Sequence, residues 1–200
     1  MTRSQQKTAH LFVLSGPSGS GKTTLCRELA KKYDWYYSIS HTTRKKRAFE
    51  KNGVDYFFVS CEEFTRMIQA YEFLEWAVVY ENDYGTSQVK VEEALARGQS
   101  VVVDVDTQGA LSIKKIMPQA VLIFIQPPQI EELKKRLTLR GGDSEEEIQK
   151  RMRQAEHEMQ FQKQYDFVVV NDDLQKATQA LDHIVQKIQK IQKIREGTSP

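Results

Sequence analysis

The sequence predicts an α/β protein: a parallel sheet with helices on both faces and an inserted mixed α+β lobe. Three observations lead there. Short apolar runs alternate with helical patterns along most of the 200 residues. The first apolar run breaks into a glycine- and serine-rich loop, with a lysine and two threonines where a helix should begin. The stretch from about 36 to 96 departs from the alternation, with two strand-like runs and one clear helix between them.

Taken in order, "LFVLS" (11–15) reads as a buried strand and is followed by a helix from about 21 to 32. "SVVVDVD" (100–106) precedes helical "TQGALSIKKI", and "AVLIFIQ" (120–126) precedes helical "QIEELKKRL". "YDFVVVN" (165–171) precedes a helix that runs toward the C-terminus. These strands are apolar throughout instead of alternating with polar residues, as expected where both faces of a parallel sheet are covered. In the middle region "VDYFFVS" (54–60) and "EFLEWAVVY" (72–80) are strand-like. Ser60 and Glu63 are spaced as a capping box for the helix between them, and a further helix follows "YGTS" and stops at Gly98. "LRGGDSEEE" (139–147) reads as a charged hinge in which Ser144 and Glu147 cap a helix to about 164. Isoleucine recurs every three or four residues in the tail, which fits an amphipathic helix docked on the core. The expected division is a core of 1–35 and 97–200, with the hinged segment of about 137–153 within it, and a lobe of 36–96.

Composition excludes several classes. With 29 Lys+Arg against 27 Asp+Glu, the net charge of +2 is too small for nucleic acid or an anionic membrane to be the main partner. No run approaches the roughly 20 apolar residues of a membrane helix. "MTRSQQKTAH" lacks the apolar centre of a signal peptide. Cys26 and Cys61 form no CxxC pair and read as free thiols in a reducing compartment, so a cytoplasmic protein is expected. Monomer and homodimer both remain open.

The loop itself, Gly16, Pro17, Ser18, Gly19, Ser20, Gly21, Lys22, Thr23 and Thr24, contains G-x-x-x-x-G-K-[ST]. Strand before and helix after is the context that a P-loop requires. Its glycines let backbone N–H groups curl around an anion, and the helix N-terminus adds partial positive charge. Lys22 suits the β/γ-phosphates, and the Thr23 hydroxyl suits Mg²⁺. Asp104 and Asp106 end a buried strand, where ligands of such sheets sit; Asp104 is expected to reach the metal through water. One substrate is therefore expected to be a nucleoside triphosphate with Mg²⁺. The chain is too short for a motor with extra domains and lacks the N/TKxD-like guanine motif of GTPases. A small kinase remains, and it needs an acceptor.

"SISHTTRKKR" (38–47) supplies Arg44 and Arg47, with Tyr56 and Tyr84 further on. Guanidinium forks grip a phosphate bidentately, and a tyrosine hydroxyl can complete the clamp. The ordered segments "GPSGSGKTTL", "HTTRKKR", "GVDYFFVS", "FLEWAVVYENDYGTS" and "VVVDVDTQGA" together resemble guanylate kinase, a P-loop nucleoside monophosphate kinase. The resemblance continues through "LKKRLTLRGGDSEEEIQKRM" and "YDFVVVND" and covers about 12 to 181. It implies transfer of the γ-phosphoryl group of ATP to GMP. Matched by position, Ser40, Glu75 and Thr86 are implied guanine contacts, with Asp106 near metal and base. Arg44, Arg47, Tyr56 and Tyr84 are the implied phosphate clamp. Arg136, Arg140 and Arg151 belong to the implied lid, with Gly141 and Gly142 as its flexing points, and Asn171 flanks the adenine.

The chemistry of the acceptor agrees. Guanine presents N1–H and N2–H₂ side by side, and one carboxylate such as Glu75 accepts both; adenine offers a lone pair at N1 instead. The Ser40 and Thr86 hydroxyls can serve O6. The attacking GMP phosphate is already ionised, so Lys22, Arg44, Arg136, Arg140 and Arg151 act by positioning and neutralising charge. A guanylate-kinase-like binding module without turnover would have lost the P-loop, which is intact here; a related kinase acting on another phosphorylated small molecule is the remaining alternative. Lys46 and Phe49 replace the proline and glycine of R-x-P-R-x-G-E-x-x-G, and Asp83 stands where an aromatic residue is common. The expected consequence is a less rigid acceptor loop, since Phe49 cannot copy a glycine with positive φ.

Overall fold

The computed structural model describes residues 8–140, 144–195 and 197. They fall into two compact units, residues up to 15 with 22–122, and 16–21 with those from 123 onward.

The first unit contains β1 (Leu11–Ser15), α1 (Lys22–Tyr33), β2 (Tyr36–Ser38), β3 (His41–Thr42), β4 (Phe57–Phe58), α2 (Cys61–Gln69), β5 (Phe73–Val79), β6 (Asn82–Ser87), α3 (Gln88–Ala96), β7 (Val101–Asp104) and α4 (Thr107–Ile116). β7 pairs in parallel with both β1 and β2, aligning Val13 with Val103 and Tyr37 with Val102. Phe12, Val13, Leu14 and Val101, Val102, Val103 are all fully buried, so neither face of these strands meets water. Leu25, Cys26 and Leu29 of α1 and Ala110 and Ile113 of α4 are buried helix faces of the same unit. This continuous burial is why the strands read as unbroken apolar runs.

The remaining strands form a separate mixed sheet, ordered β4-β3-β6-β5. β6 is antiparallel to β3 and β5, while β3 and β4 are parallel. Phe64 and Met67 of α2 pack with Phe73, supported by Val59 and Ile68. Two expectations need correction here. The run at 54–60 yields only the short β4. "NDYGTS" forms strand β6, which the sequence did not announce. Its hairpin turn is Tyr80–Glu81, both with positive φ (49° and 65°). A two-residue turn of that kind normally advertises itself by Asn-Gly or Asp-Gly.

The second unit holds β8 (Val121–Gln126) from Ile123 onward, α5 (Ile130–Arg140), α6 (Glu145–Met159), a 3-10 turn at Gln160–Gln164, β9 (Phe167–Val170) and α7 (Leu174–Arg195). β8 and β9 pair in parallel from Ile123/Phe167 to Gln126/Val170. Ser144 and Glu147 form the full capping box that starts α6, which tightens at Gln160 into the 3-10 turn. The terminal helix buries Ala177, Leu181 and Val185 at four-residue spacing. Gly141 and Gly142 lie outside the described residues, as does the Arg140 side chain. No helix among the described residues is long and apolar enough to cross a membrane.

Candidate active site

In the second unit the phosphate loop is braced from several sides. Gly16 has φ 133°, and a Cβ there would collide with the backbone carbonyl of Ile125 on β8. Gly21 has φ 91°, and a Cβ there would strike the side-chain amide of Asn171. Only glycine meets both conditions. The Ser20 N–H donates to the Pro17 carbonyl at 3.1 Å, closing the turn. Asn171, just after β9, donates from Nδ2 to the Ser20 carbonyl at 2.7 Å. Its own carbonyl accepts from Nη2 of Arg136 at 3.0 Å. Arg151 on α6 donates from Nη1 to the Ser18 hydroxyl at 3.3 Å. Asn171, expected beside a base, thus also holds the loop in shape.

In the first unit α1 opens with Lys22, Thr23 and Thr24. The Thr23 hydroxyl donates to Oδ2 of Asp104, the last residue of β7, at 2.5 Å. A hydroxyl beside a carboxylate is a hard oxygen pair, the donor chemistry that suits Mg²⁺. Asp106 is not part of the strand, which ends at Asp104. It is the N-cap of α4 and accepts the Gly109 N–H at 2.8 Å. Burial raises its pKa, while that N–H and the charge of Lys22 oppose the rise. Cys26 lies behind Asp104, and burial together with that neighbouring carboxylate pushes its thiol well above the ordinary value. It is therefore an unreactive core thiol.

Glu75 stands on β5, next to an irregularity of the β5/β6 register between Phe73 and Glu75, and directly opposite Thr86. It is only 7% exposed. The Thr86 hydroxyl donates to its Oε1 at 2.6 Å. Burial pushes the Glu75 pKa up to about 7, with Asp106 adding to the rise and Thr86 moderating it. Ser40 is half-buried in the link from β2 to β3, where its carbonyl accepts from the Phe57 N–H at 2.9 Å.

All four clamp candidates gather in this unit. Arg44 donates from Nε to the Tyr84 hydroxyl at 3.2 Å and lies 5.4 Å over the Tyr56 ring. The Tyr56 and Tyr84 rings meet edge to face at 5.8 Å. Sequence reasoning missed the residue that organises them. Glu50 is 3% exposed and accepts from Arg44 Nη1 at 3.1 Å, Arg44 Nη2 at 2.8 Å and the Arg47 backbone N–H at 2.8 Å. Arg47 Nη1 lies 3.7 Å from it. Its signal was present as the final glutamate of R-x-P-R-x-G-E. Burial would raise its pKa, yet Arg44 and Arg47 hold it below the ordinary carboxylate value.

Phe49 does not take up the positive φ that a glycine there would allow. Non-glycine residues with positive φ among those described are Asp34, Tyr71, Tyr80 and Glu81. Lys46 Nζ donates to the Glu50 carbonyl at 3.1 Å, a bond across the loop. Asp83 accepts at its carbonyl from the Thr43 N–H at 3.1 Å and returns its own N–H to the Thr43 hydroxyl at 2.9 Å. Arg27 of α1 reaches Asp55 at 2.9 Å and the Val54 carbonyl at 3.1 Å, anchoring the segment that leads to Tyr56.

Comparison with known proteins agrees with this geometry. The family model described as guanylate kinase matches residues 8–188. A guanylate kinase of Yersinia pestis is 50% identical over 178 residues, 88% of this chain and 86% of that protein. One from Pseudoalteromonas translucida is 49% identical over 181 residues, 90% of this chain and 88% of that protein. The crystal structure of guanylate kinase from Anaplasma phagocytophilum superimposes with a TM-score of 0.76 at 33% identity, covering 92% of this chain and 87% of that one. With a braced glycine-rich loop, Arg44, Arg47, Tyr56 and Tyr84 gathered together and a buried acid opposite Thr86 on one chain, these matches leave one assignment: the chain belongs to the guanylate kinase family.

Proposed function

We propose a division of labour among these residues in the reaction of the family, transfer of the γ-phosphoryl group of ATP to GMP to give ADP and GDP. The backbone of Gly16–Gly21 and the Lys22 ammonium grip the triphosphate, with Pro17, Ser18, Gly19, Ser20 and Thr24 completing the loop. Thr23, and Asp104 through water, hold Mg²⁺, which when bound supplies charge neutralisation at phosphate oxygens. Asn171 flanks the adenine while bracing Ser20. Arg136, Arg140 and Arg151 form the lid over the transferring group; the Arg151–Ser18 contact supports its part in this. Arg44, Arg47, Tyr56 and Tyr84 bind the GMP phosphate. Glu75, Thr86, Ser40 and Asp106 read the guanine. We take 36–96 as the acceptor lobe, about 137–153 as the lid and the rest as core. The unpaired Cys26 and Cys61 accord with a cytoplasmic setting.

The observation that carries base choice is the Glu75 carboxylate, buried and held by a neutral hydroxyl. A buried acid whose hydrogen-bond partners are the neutral hydroxyl and backbone of Thr86 gains from two further donors, and guanine presents both on one edge. No general base is required, because the attacking phosphate oxygen is already ionised. The enzyme's contribution is to align two anions and neutralise them.

The test is a coupled ADP-release assay with ATP, Mg²⁺ and GMP, AMP, CMP or UMP as acceptor. GMP should exceed AMP in kcat/KM by about 10⁴-fold, and chelation of Mg²⁺ should abolish turnover. Equal use of AMP would overturn the assignment of the base site.

A further inference from the structure

We propose that Gly109 is a positioning residue for base selection: the space it leaves open fixes where the Glu75 carboxylate lies. The inference rests on the reading of Glu75 as the guanine acceptor and deepens it.

Gly109 is the third residue of α4 and is buried. It is not among the glycines with positive φ, so its backbone conformation does not demand glycine. Within a helix glycine is a poorer choice than alanine. The reason for it therefore lies in what its Cα faces. A Cβ built at Gly109 would stand 2.5 Å from Glu75 Oε2, 3.0 Å from Glu75 Cδ and 3.2 Å from Asp106 Oδ1. The helix cannot withdraw easily, because its first turn is closed by the Gly109 N–H donating to that same Asp106 oxygen at 2.8 Å. The group that yields is the free end of Glu75. On its other side Oε1 is held by the Thr86 hydroxyl at 2.6 Å. Thr86 and Gly109 thus bracket the carboxylate, one by a hydrogen bond and the other by the absence of a side chain.

Guanine's two donors require both carboxylate oxygens to face the base edge in the plane of the ring. A methyl group at 109 turns Oε2 away while Oε1 stays on Thr86, so one of the two hydrogen bonds is lost. An acceptor that lacks the N2 amino group, such as IMP, offers only N1–H, which the remaining Oε1 can accept, and loses little.

The experiment compares Gly109→Ala, Glu75→Gln and the double variant Gly109→Ala/Glu75→Asp with the parent, measuring kcat/KM for GMP and IMP, KM for ATP, and the melting temperature. In Gly109→Ala we expect kcat/KM for GMP to fall about 30-fold, through KM more than kcat, and that for IMP to fall less than about 5-fold. KM for ATP should stay within about twofold, and the melting temperature should not fall, since alanine favours the helix. In the double variant the shorter acid makes room for the methyl group and restores part of the GMP/IMP ratio. An unchanged ratio in Gly109→Ala, while Glu75→Gln lowers it, would overturn the role of Gly109 and leave that of Glu75 standing. An unchanged ratio in Glu75→Gln removes both. A melting temperature lowered in Gly109→Ala without rescue by the double variant would mean that the helix yields instead of the acid, and would also overturn the proposal.

Discussion

Glu50 and Glu75 are two buried carboxylates of one unit, at 3% and 7% exposure, and they behave oppositely. Burial pushes both toward the neutral acid. At Glu50 the Arg44 fork, the Arg47 N–H and both positive charges outweigh burial and hold the group ionised. At Glu75 the neighbouring Asp106 adds to burial, and only the Thr86 hydroxyl and backbone oppose it. Depth alone therefore does not set the state of a carboxylate; the partners do. Glu50 is a completed interaction that shapes the clamp. Glu75 is an incomplete one, and in the function proposed above a guanine edge supplies its further donors.

The largest effect should come from breaking the completed pair. Glu50→Gln keeps the shape and removes the charge opposite two guanidiniums, whose side chains are 15% and 19% exposed. Removing one partner of a buried pair destabilises by about 3–5 kcal/mol, or roughly 6–20 °C of melting temperature in a chain of this size. KM for GMP should rise at least about tenfold, with KM for ATP unchanged. A melting curve that superimposes on the parent's would show that the pair does not organise the loop.

Acid–base titration sharpens the contrast. The folded-state pKa of Glu75 is raised from 4.5 to about 7. Between those values the folded chain keeps a proton that the unfolded chain has lost, so this group makes stability fall as pH rises through the window. The full effect is about 3 kcal/mol. Glu50, lowered from 4.5, contributes stability that is present above its unfolded value and is lost as pH falls through its folded one. Glu75→Gln should therefore remove the loss between about pH 5 and 7, leave the acid-side loss intact, and exceed the parent in stability near pH 8. Urea titrations across that range measure this; parallel pH profiles for the two proteins would contradict the burial argument.

Much of the fold was legible because its signals are local. The unbroken apolar runs, the glycines of the phosphate loop and the Ser144–Glu147 box each declare themselves within a few residues. What escaped depends on contacts distant in sequence. Strand β6 is polar and turns on Tyr80–Glu81, so its evidence is the pairing with β3 and β5. Gly109 matters because Glu75, thirty-four residues earlier, lies against it. Asn171 braces a loop whose Ser20 is 151 positions away. Asp106 looked like the end of a strand because an aspartate after a valine run fits a strand end as well as an N-cap, and only the Gly109 N–H decides between them. The clamp was legible as a set of residue types; its organiser, Glu50, was marked only by its place at the end of R-x-P-R-x-G-E, and only the folded contacts show that Arg44 and Arg47 share it.

The smallest effect tests whether the completed pair also needs its loop tied. Lys46, in place of the family's usual proline, donates to the Glu50 carbonyl at 3.1 Å. Its side chain is exposed, so the bond competes with water and contributes modestly. Lys46→Ala should raise KM for GMP about threefold, with kcat and KM for ATP unchanged. Lys46→Pro should stay near the parent, because proline restricts the same turn by fixing its own φ and biasing Lys45 toward extended backbone. The two devices would then be interchangeable means of presenting one carboxylate to two arginines. If alanine and proline at this position give the same KM, restriction of the loop is irrelevant, and Glu50 positions the clamp through its side chain alone.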